Sequence, residues 1–432
     1  MVGDLVGEQM RADPGRALAG LEGLRELTGT EAGAQRVAWT PTWARARVWL
    51  REQLVALPVE VQIDEAGNLW AELAGADPRA LVIGSHLDSV PDGGWLDGSL
   101  GVLGALEVLR ALSAGPRPPL TVRLVDWADE EGARFGRSLL GSSAAAGLLD
   151  PAEVRDLHDA AGVALPDALR EHGVELEAMP RAARRLRDVV SYVELHIEQG
   201  PVLEAASLPL GVVDVVVGAR RHRVRFEGRS SHAGSTPMPA RRDPVVAAAR
   251  LALAVRAGAV TEAGVATVGA IHAEPGIPTA VAGSVELFVD QRHRDADALA
   301  RMLEAAQAES QTIAAEEGTP VHWSRLQEVA PVGFDKRLVG AAERSVRAVT
   351  GDCLVLPSGA LHDAAMVARA GVPAVMLFVQ SIDGISHNRV EDSHAEHLAD
   401  GVLALDRLVR EVLSEGGGGR GLSRGAPTAG VD

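Results

Sequence analysis

Apolar and polar positions change rhythm several times along this chain. Over residues 16–27 and 42–57 apolar residues recur at helical spacing, and the second stretch opens at a Thr and a Pro, a common helix start. Residues 59–64 and 69–73 instead alternate in twos around Ala66, Gly67 and Asn68, which predicts a hairpin. Short apolar runs at 80–84 and 120–127 are separated by a helical stretch at 101–113, a strand-helix-strand unit that implies parallel pairing. From about residue 210 the pattern becomes strand (221–227), helix (244–257), strand (266–272), strand (284–292) and helix (295–317), with a short strand near Val321. The first rhythm then resumes, with helices at 336–350 and 360–370, a strand at 374–378 and a last helix at 395–413.

This pattern predicts an α/β protein of two domains, as expected for 432 residues, a length at which one core usually stops growing. The first domain is discontinuous, residues 1–211 and 325–414, with a mostly parallel central sheet flanked by helices. The second, 212–324, is an inserted α+β block of ferredoxin-like order, with hinges expected near 210–217 and 324–330. Residues 415–432 carry a run of four glycines and almost no large apolar side chains, so a disordered tail is expected there.

Composition narrows the partners. A net charge of -17 repels a phosphate backbone and excludes the usual nucleic-acid binder. No run of about 18 apolar residues stands out to the eye, and the N-terminus lacks a basic start followed by an apolar core, so neither a membrane span nor a signal peptide is expected. The lone Cys353 cannot form an internal disulfide, which makes the cytoplasm the default location.

The chemistry sits where strands end. GSHLDSVPDGGWLDGSLG, residues 84–101, places His86, Asp88 and Asp97 in a glycine-rich turn just past an apolar run. The strand TVRLVDW leads into ADEEG, so Glu130 and Glu131 lie at the next strand end, where neighbouring side chains point differently and can take different roles. YVELHIEQG places His196 and Gln199 after a third apolar segment, and GISHNRVEDS presents His387 in a polar turn. Imidazoles and carboxylates together suit Zn²⁺, Mn²⁺, Co²⁺ or Ni²⁺, and one shared carboxylate can bridge two such ions, so a binuclear hydrolase is the natural reading.

These blocks, with SSHAGSTPM followed by RRD, EPG, the D-Q-R-H strand and SGALHDA, occur in one family order, and over nearly the whole chain the sequence resembles the N-carbamoyl-L-amino-acid hydrolases, β-ureidopropionases and allantoate amidohydrolases, within the di-zinc aminoacylase and carboxypeptidase superfamily. The resemblance implies two divalent ions per subunit, Zn²⁺ or Mn²⁺ with Co²⁺ or Ni²⁺ as alternatives. His86, Asp97 and His196 would hold one, and Asp97, Glu131 and His387 the other. It makes Glu130 the general base and Asp88 the group that orients the His86 imidazole. It makes His232 an oxyanion donor reaching a neighbouring subunit's site, Arg292 the grip on a substrate carboxylate, and Gln199, His362 and the position of Thr279 substrate contacts. The inserted block becomes a lid and dimerisation domain that closes over a small ureido or carbamoyl acid.

Three positions depart from the family pattern: Thr279 stands where relatives usually carry an Asn, Leu361 replaces a usual Gly, and GARRHR at 218–223 lacks a usual Gln and aromatic residue. Substrate identity is where these departures act. Two other readings stay open at this level: an aminoacylase or peptidase of the same superfamily, from which the imidazole of His196 distinguishes the ureido-cleaving branch, and an inactive homologue that only binds metal or ligand.

Overall fold

In the computed structural model, which describes residues 11–417, the main sheet begins with strands β1 (Glu60–Ile63) and β2 (Leu69–Leu73), an antiparallel hairpin. Its turn is organised by one buried carboxylate: Asp64 accepts hydrogen bonds from the amides of Ala66 and Asn68, from Asn68 Nδ2 and from Trp70 Nε1. Strands β3 (Asp77–His86) and β4 (Leu120–Trp127) follow, joined by helix α1 (Ser99–Ser113), then β5 (Val189–Ile197) and β6 (Leu210–Val216). The chain next builds β7 (Gly218–Glu227), α2 (Pro244–Thr261), β8 (Val265–Glu274), β9 (Ser284–His293), α3 (Ala296–Glu317) and β10 (Val321–Val329). It returns through α4 (Lys336–Thr350), β11 (Leu354–Ser358), α5 (Asp363–Arg369), β12 (Ala374–Val379) and α6 (Ala395–Gly417).

The nine-stranded main sheet contains the order β6-β12-β5-β3-β4-β2-β1, with β11 paired to β6. It is mixed. β12, β5, β3 and β4 pair in parallel at its centre, and the pairs β6–β12, β4–β2 and β2–β1 are antiparallel. Every residue of β4, β5 and β12 is buried, as expected where a parallel strand is covered on both faces and reads as a continuous apolar run. Helices α1 and α6 pack on β5 and on each other. Because the central strands point one way, the segments that follow His86, Trp127, Ile197 and Val379 all leave from one edge of the sheet, the edge at which such sheets bind ligands.

Residues 215–332 form a compact unit of their own. Its four strands are antiparallel in the order β8-β9-β7-β10, in a β-α-β-β-α-β sequence with α2 and α3 packed together against the sheet. Val224, Phe226, Leu251, Val285, Leu287 and Ile313 make its core.

Several sequence expectations shift. The boundaries at 211 and 325 move to 214 and 333, because β6 is a strand of the main sheet and β10 pairs with β7 along its length. The alternation of exposed and half-buried residues in β10 is visible in the sequence but spaced by a register irregularity between Arg325 and Gln327, which shortened its reading. Helix α6 runs to Gly417, past 413; the rest of the glycine-rich tail, 418–432, lies outside the described residues. Among the described residues α2 is long and apolar enough to cross a membrane, contrary to expectation, yet it buries Ala247, Ala248, Leu251 and Val255 in the core of the inserted unit. The short helices Leu140–Ala145 and Leu165–Glu171 between β4 and β5 span too few turns to register as periodicity.

Replacing Asp64 by Ala strands several buried donors at once, so chemical denaturation should show a loss of about 2–4 kcal/mol. An unchanged midpoint would show that this turn holds itself.

Candidate metal and catalytic site

Two glycines explain how the loop after β3 packs. Gly98 has φ +63, and a Cβ there would lie 2.4 Å from His86 Cε1; a Cβ on Gly94 would lie 2.0 Å from the Glu391 carboxyl carbon. The turn therefore folds back on itself and brings Asp97 against the end of β3. Asp97 is buried, and its two oxygens face different partners. Oδ1 is 3.2 Å from His196 Nε2 and 3.7 Å from His86 Nε2, whereas Oδ2 is 3.3 Å from His387 Nε2. His387 Nε2 is also 3.3 Å from Glu131 Oε2. His86, Asp97 and His196, and likewise Asp97, Glu131 and His387, thus form two groups of convergent donors that share one carboxylate.

Both buried imidazoles are held by the ring nitrogen that faces away. His196 Nδ1 donates to the carbonyl of Ile197 at 2.9 Å and His86 Nδ1 to the carbonyl of Asp88 at 3.0 Å, so in the neutral ring the lone pair sits on Nε2. Asp88 orients His86 through its backbone; its carboxylate, 3.7 Å from the ring, receives the amides of Glu130 and Glu131 at 3.2 and 3.1 Å. That pair of bonds sets the turn after β4, where Asp129 has φ +59. Glu130 Oε2 is 3.8 Å from His86 Nε2, and Glu130 stands beside the two donor groups without joining either.

So many buried acids repel one another. Burial, and then neighbouring carboxylates, hold Glu130 and Glu131 well above the usual carboxylate range; burial likewise lifts Asp88 to about 6, against the amides it accepts, and Glu391 to about 7. Glu131 Oε1 is buried without a hydrogen-bond partner. An orphaned carboxylate oxygen, three imidazoles and a shared acid fit divalent cations that accept nitrogen and oxygen ligands. A third convergent group, Glu194, His196 and His362, fits none. Glu194 is already engaged by Ser85 Oγ (2.7 Å), Tyr192 OH (3.0 Å) and the Ala364 amide (3.1 Å), and His362 Nε2 meets Ser358 Oγ at 3.0 Å.

Of the expected substrate contacts, Gln199 lies at the centre: its Nε2 donates to Asp97 Oδ2 (2.9 Å) and Ser386 Oγ (3.0 Å). His362 is buried behind His196, ring centroids 4.5 Å apart. The others belong to the inserted unit. His232 is exposed and its Nδ1 accepts the amides of Gly234 and Ser235, both at 3.1 Å, which puts the ring proton of the neutral form on Nε2. Thr279 is next to it, its carbonyl accepting the Ala233 amide at 2.9 Å. Arg292 is ion-paired to Asp290 at 2.8 Å, an acid that also takes Arg221.

Sequence reasoning missed Glu391, Glu194 and Ser386. Glu391 accepts the amides of Leu96 (3.1 Å) and Asp97 (3.0 Å) and Ser386 Oγ (2.7 Å). In GISHNRVEDS it reads as one more polar turn residue, and nothing local signals burial. Glu194 left a trace, an acid inside an otherwise apolar strand between Tyr192 and His196.

Burial lowers the His196 pKa, but the hydrogen bond and charge of Asp97 outweigh it and push it up to about 9. A cation held by His196 Nε2 would have to displace that proton, so metal affinity should rise with pH up to about 9 and flatten above. Calorimetry in buffers of different ionisation enthalpy measures the released proton directly; affinity independent of pH across this range would contradict the assignment of His196.

Residues 82–411 match the family described as Peptidase family M20/M25/M40. An N-carbamoyl-L-amino acid amidohydrolase of Geobacillus stearothermophilus is 38% identical over 381 residues, 87% of this chain and 93% of that protein. An allantoate amidohydrolase of Escherichia coli (strain K12) is 36% identical over 385 residues, 88% and 93% of the two chains. A solved hydantoinase/carbamoylase family amidase of Burkholderia multivorans superposes with a TM-score of 0.85 at 33% identity, covering 93% of this chain and 98% of its own. Matched over well more than half its length, with the shared acid and its donor groups inside the matched region, the chain belongs to peptidase family M20/M25/M40, among the N-carbamoyl-L-amino-acid and allantoate amidohydrolases.

Proposed function

We propose that this protein is a metal-dependent amidohydrolase that cleaves a C–N bond of an N-carbamoyl amino acid or a related ureido acid. The observation that carries the reading is Asp97, one carboxylate with an oxygen in each of two donor groups and Glu130 beside them. His86, Asp97 and His196 would hold one divalent ion and Asp97, Glu131 and His387 a second, Zn²⁺ or Mn²⁺ first and Co²⁺ or Ni²⁺ as alternatives. Such ions supply Lewis acidity toward a water and a carbonyl oxygen. Glu130, held above the usual carboxylate range by burial, takes the proton of the attacking water and returns it to the departing nitrogen. Asp88 keeps His86 and the Glu130–Glu131 turn in place.

The relatives named above act on compounds that combine a ureido group with a carboxylate, which sets the substrate class. An open surface depression bordered by Ala32, Pro91, Asp92, His387, Asn388 and Arg389 reaches the half-exposed His387 and leaves that side of the centre accessible from solvent. Gln199 and His362 belong to the metal side of the substrate. His232, Arg292 and Thr279 are the contacts contributed by the inserted unit: Nε2–H of His232 for a developing oxyanion, Arg292 for the carboxylate, Thr279 with one hydroxyl where relatives offer an amide. This unit is also the proposed lid and homodimer surface. Val245, Val246, Leu253 and Val260 of α2 are exposed, and β8 pairs on one side only among the described residues, leaving Val265 and Ile271 exposed beside a free strand edge. A cytoplasmic setting completes the proposal and agrees with the buried, unpaired Cys353.

Glu130→Gln should keep its bound metal and lose roughly 10²–10⁴-fold in turnover, and His196→Ala should lose metal. Full activity of Glu130→Gln removes it as the base. Ammonia release measured with N-carbamoyl-L-amino acids, allantoate, ureidoglycolate and β-ureidopropionate, alongside free amino acid release from N-acyl amino acids and dipeptides, should favour the ureido acids; turnover confined to the acyl compounds would move the protein to the aminoacylase branch.

A further inference from the structure

Two buried carboxylates lie outside both donor groups, and each is wired to a different side of the centre. Glu391 accepts the amides of Leu96 and Asp97 and the hydroxyl of Ser386, the residue before His387. It therefore ties the loop that carries Asp97 to the loop that carries His387, across 294 positions of chain. Gln199 closes the ring, with its amide on both Ser386 Oγ and Asp97 Oδ2, the oxygen that faces His387. Glu391 bonds neither His86 nor His196; it meets their side only through the backbone amide of Asp97, the acid shared by both groups, whereas its bond to Ser386 lies wholly on the His387 side. The absence of a side chain at Gly94 is what makes room for this carboxylate.

Glu194 serves the other side. It lies on β5 two residues before His196, and it accepts Ser85 Oγ, the residue before His86 on the adjacent strand β3. Tyr192 OH and the amide of Ala364 also bond to it. The ends of β3 and β5 are thereby tied together one residue before His86 and two before His196. None of these bonds touches the His387 loop.

Resting on the two-cation reading above, we propose that Glu391 and Glu194 are positioning residues with separate clients: Glu391 fixes the Asp97, Glu131 and His387 position, and Glu194 fixes the His86, Asp97 and His196 position. The two cation positions can then be weakened one at a time by residues that bind no cation. Outer carboxylates of this kind typically matter 10–100-fold in metal affinity, because they hold ligand geometry that the cation would otherwise have to impose.

The test is a titration of the metal-free full chain with Mn²⁺, followed by calorimetry. His387→Ala and His86→Ala identify which binding step belongs to which position. Glu391→Gln should weaken the step that His387→Ala abolishes by about 10–100-fold and the other by a clearly smaller factor, carried through the shared Asp97, and Glu194→Gln should weaken chiefly the step that His86→Ala abolishes. Ser85→Ala, which removes one bond from Glu194, and Ser386→Ala, which removes one from Glu391 together with the Gln199 and Asp97 Oδ2 contacts on the same His387 side, leave the charges in place; they should shift the same steps in the same order and keep the measurement available if either Gln variant folds poorly. A wild-type protein that binds Mn²⁺ in one step, or not at all, would sink the two-cation reading itself. Two wild-type steps that fall together in every variant, or that stay unmoved, would overturn the separate roles of Glu391 and Glu194.

Discussion

The structure depends on one carboxylate being shared. Asp97 presents Oδ1 to His86 and His196 and Oδ2 to His387, and it does so within reach of Asp88, Glu130, Glu131 and Glu391, all of them buried or nearly so. Acids gathered out of water raise one another's proton affinity, and the protein offers few fixed positive charges to offset them. Arg36 is one buried cation near them: it donates to Leu87 O and Ser99 Oγ beneath the loop, and burial lowers its own pKa to about 10 against the pull of Glu391 and Asp97, while the buried Arg47 is taken by Asp126. Cations between the imidazoles and carboxylates would resolve this conflict, so the donor geometry and the electrostatics point the same way.

The fold makes the sharing possible by topology. Donors from positions 86 to 387 meet because the central strands β12, β5, β3 and β4 run in parallel and release their following segments at one edge. His86 closes β3, the Glu130–Glu131 turn follows β4, His196 is near the end of β5, and the segment after β12 carries His387. Each donor is then set by short-range bonds, from carbonyls behind the two buried imidazoles, from Asp88 onto the turn, and from Glu391 onto the Asp97 loop.

What could be read in the sequence was whatever leaves a local trace. Apolar runs ending in His or Asp-Glu-Glu marked the strand ends, and the glycines around Asp97 marked a tight turn, so the donors His86, Asp97, Glu131, His196 and His387 were all in view. Relations between distant segments were not. Nothing near Glu391 announces that it will be buried against Leu96 and Asp97, and no spacing shows that Asp88 would hold His86 by its carbonyl while its carboxylate serves the next loop. Domain limits erred for the same reason: β6 and β10 alternate as strands in either unit would, and only their pairing partners decide to which sheet they belong.

The most direct test of the shared carboxylate is diffraction from crystals of the purified protein, recorded on either side of the absorption edge of whichever divalent metal elemental analysis finds. Two anomalous peaks about 3.5–4 Å apart, one on each oxygen of Asp97, are predicted. A single peak that leaves His387 or His196 without a metal contact, or no peak in fully active material, would contradict it.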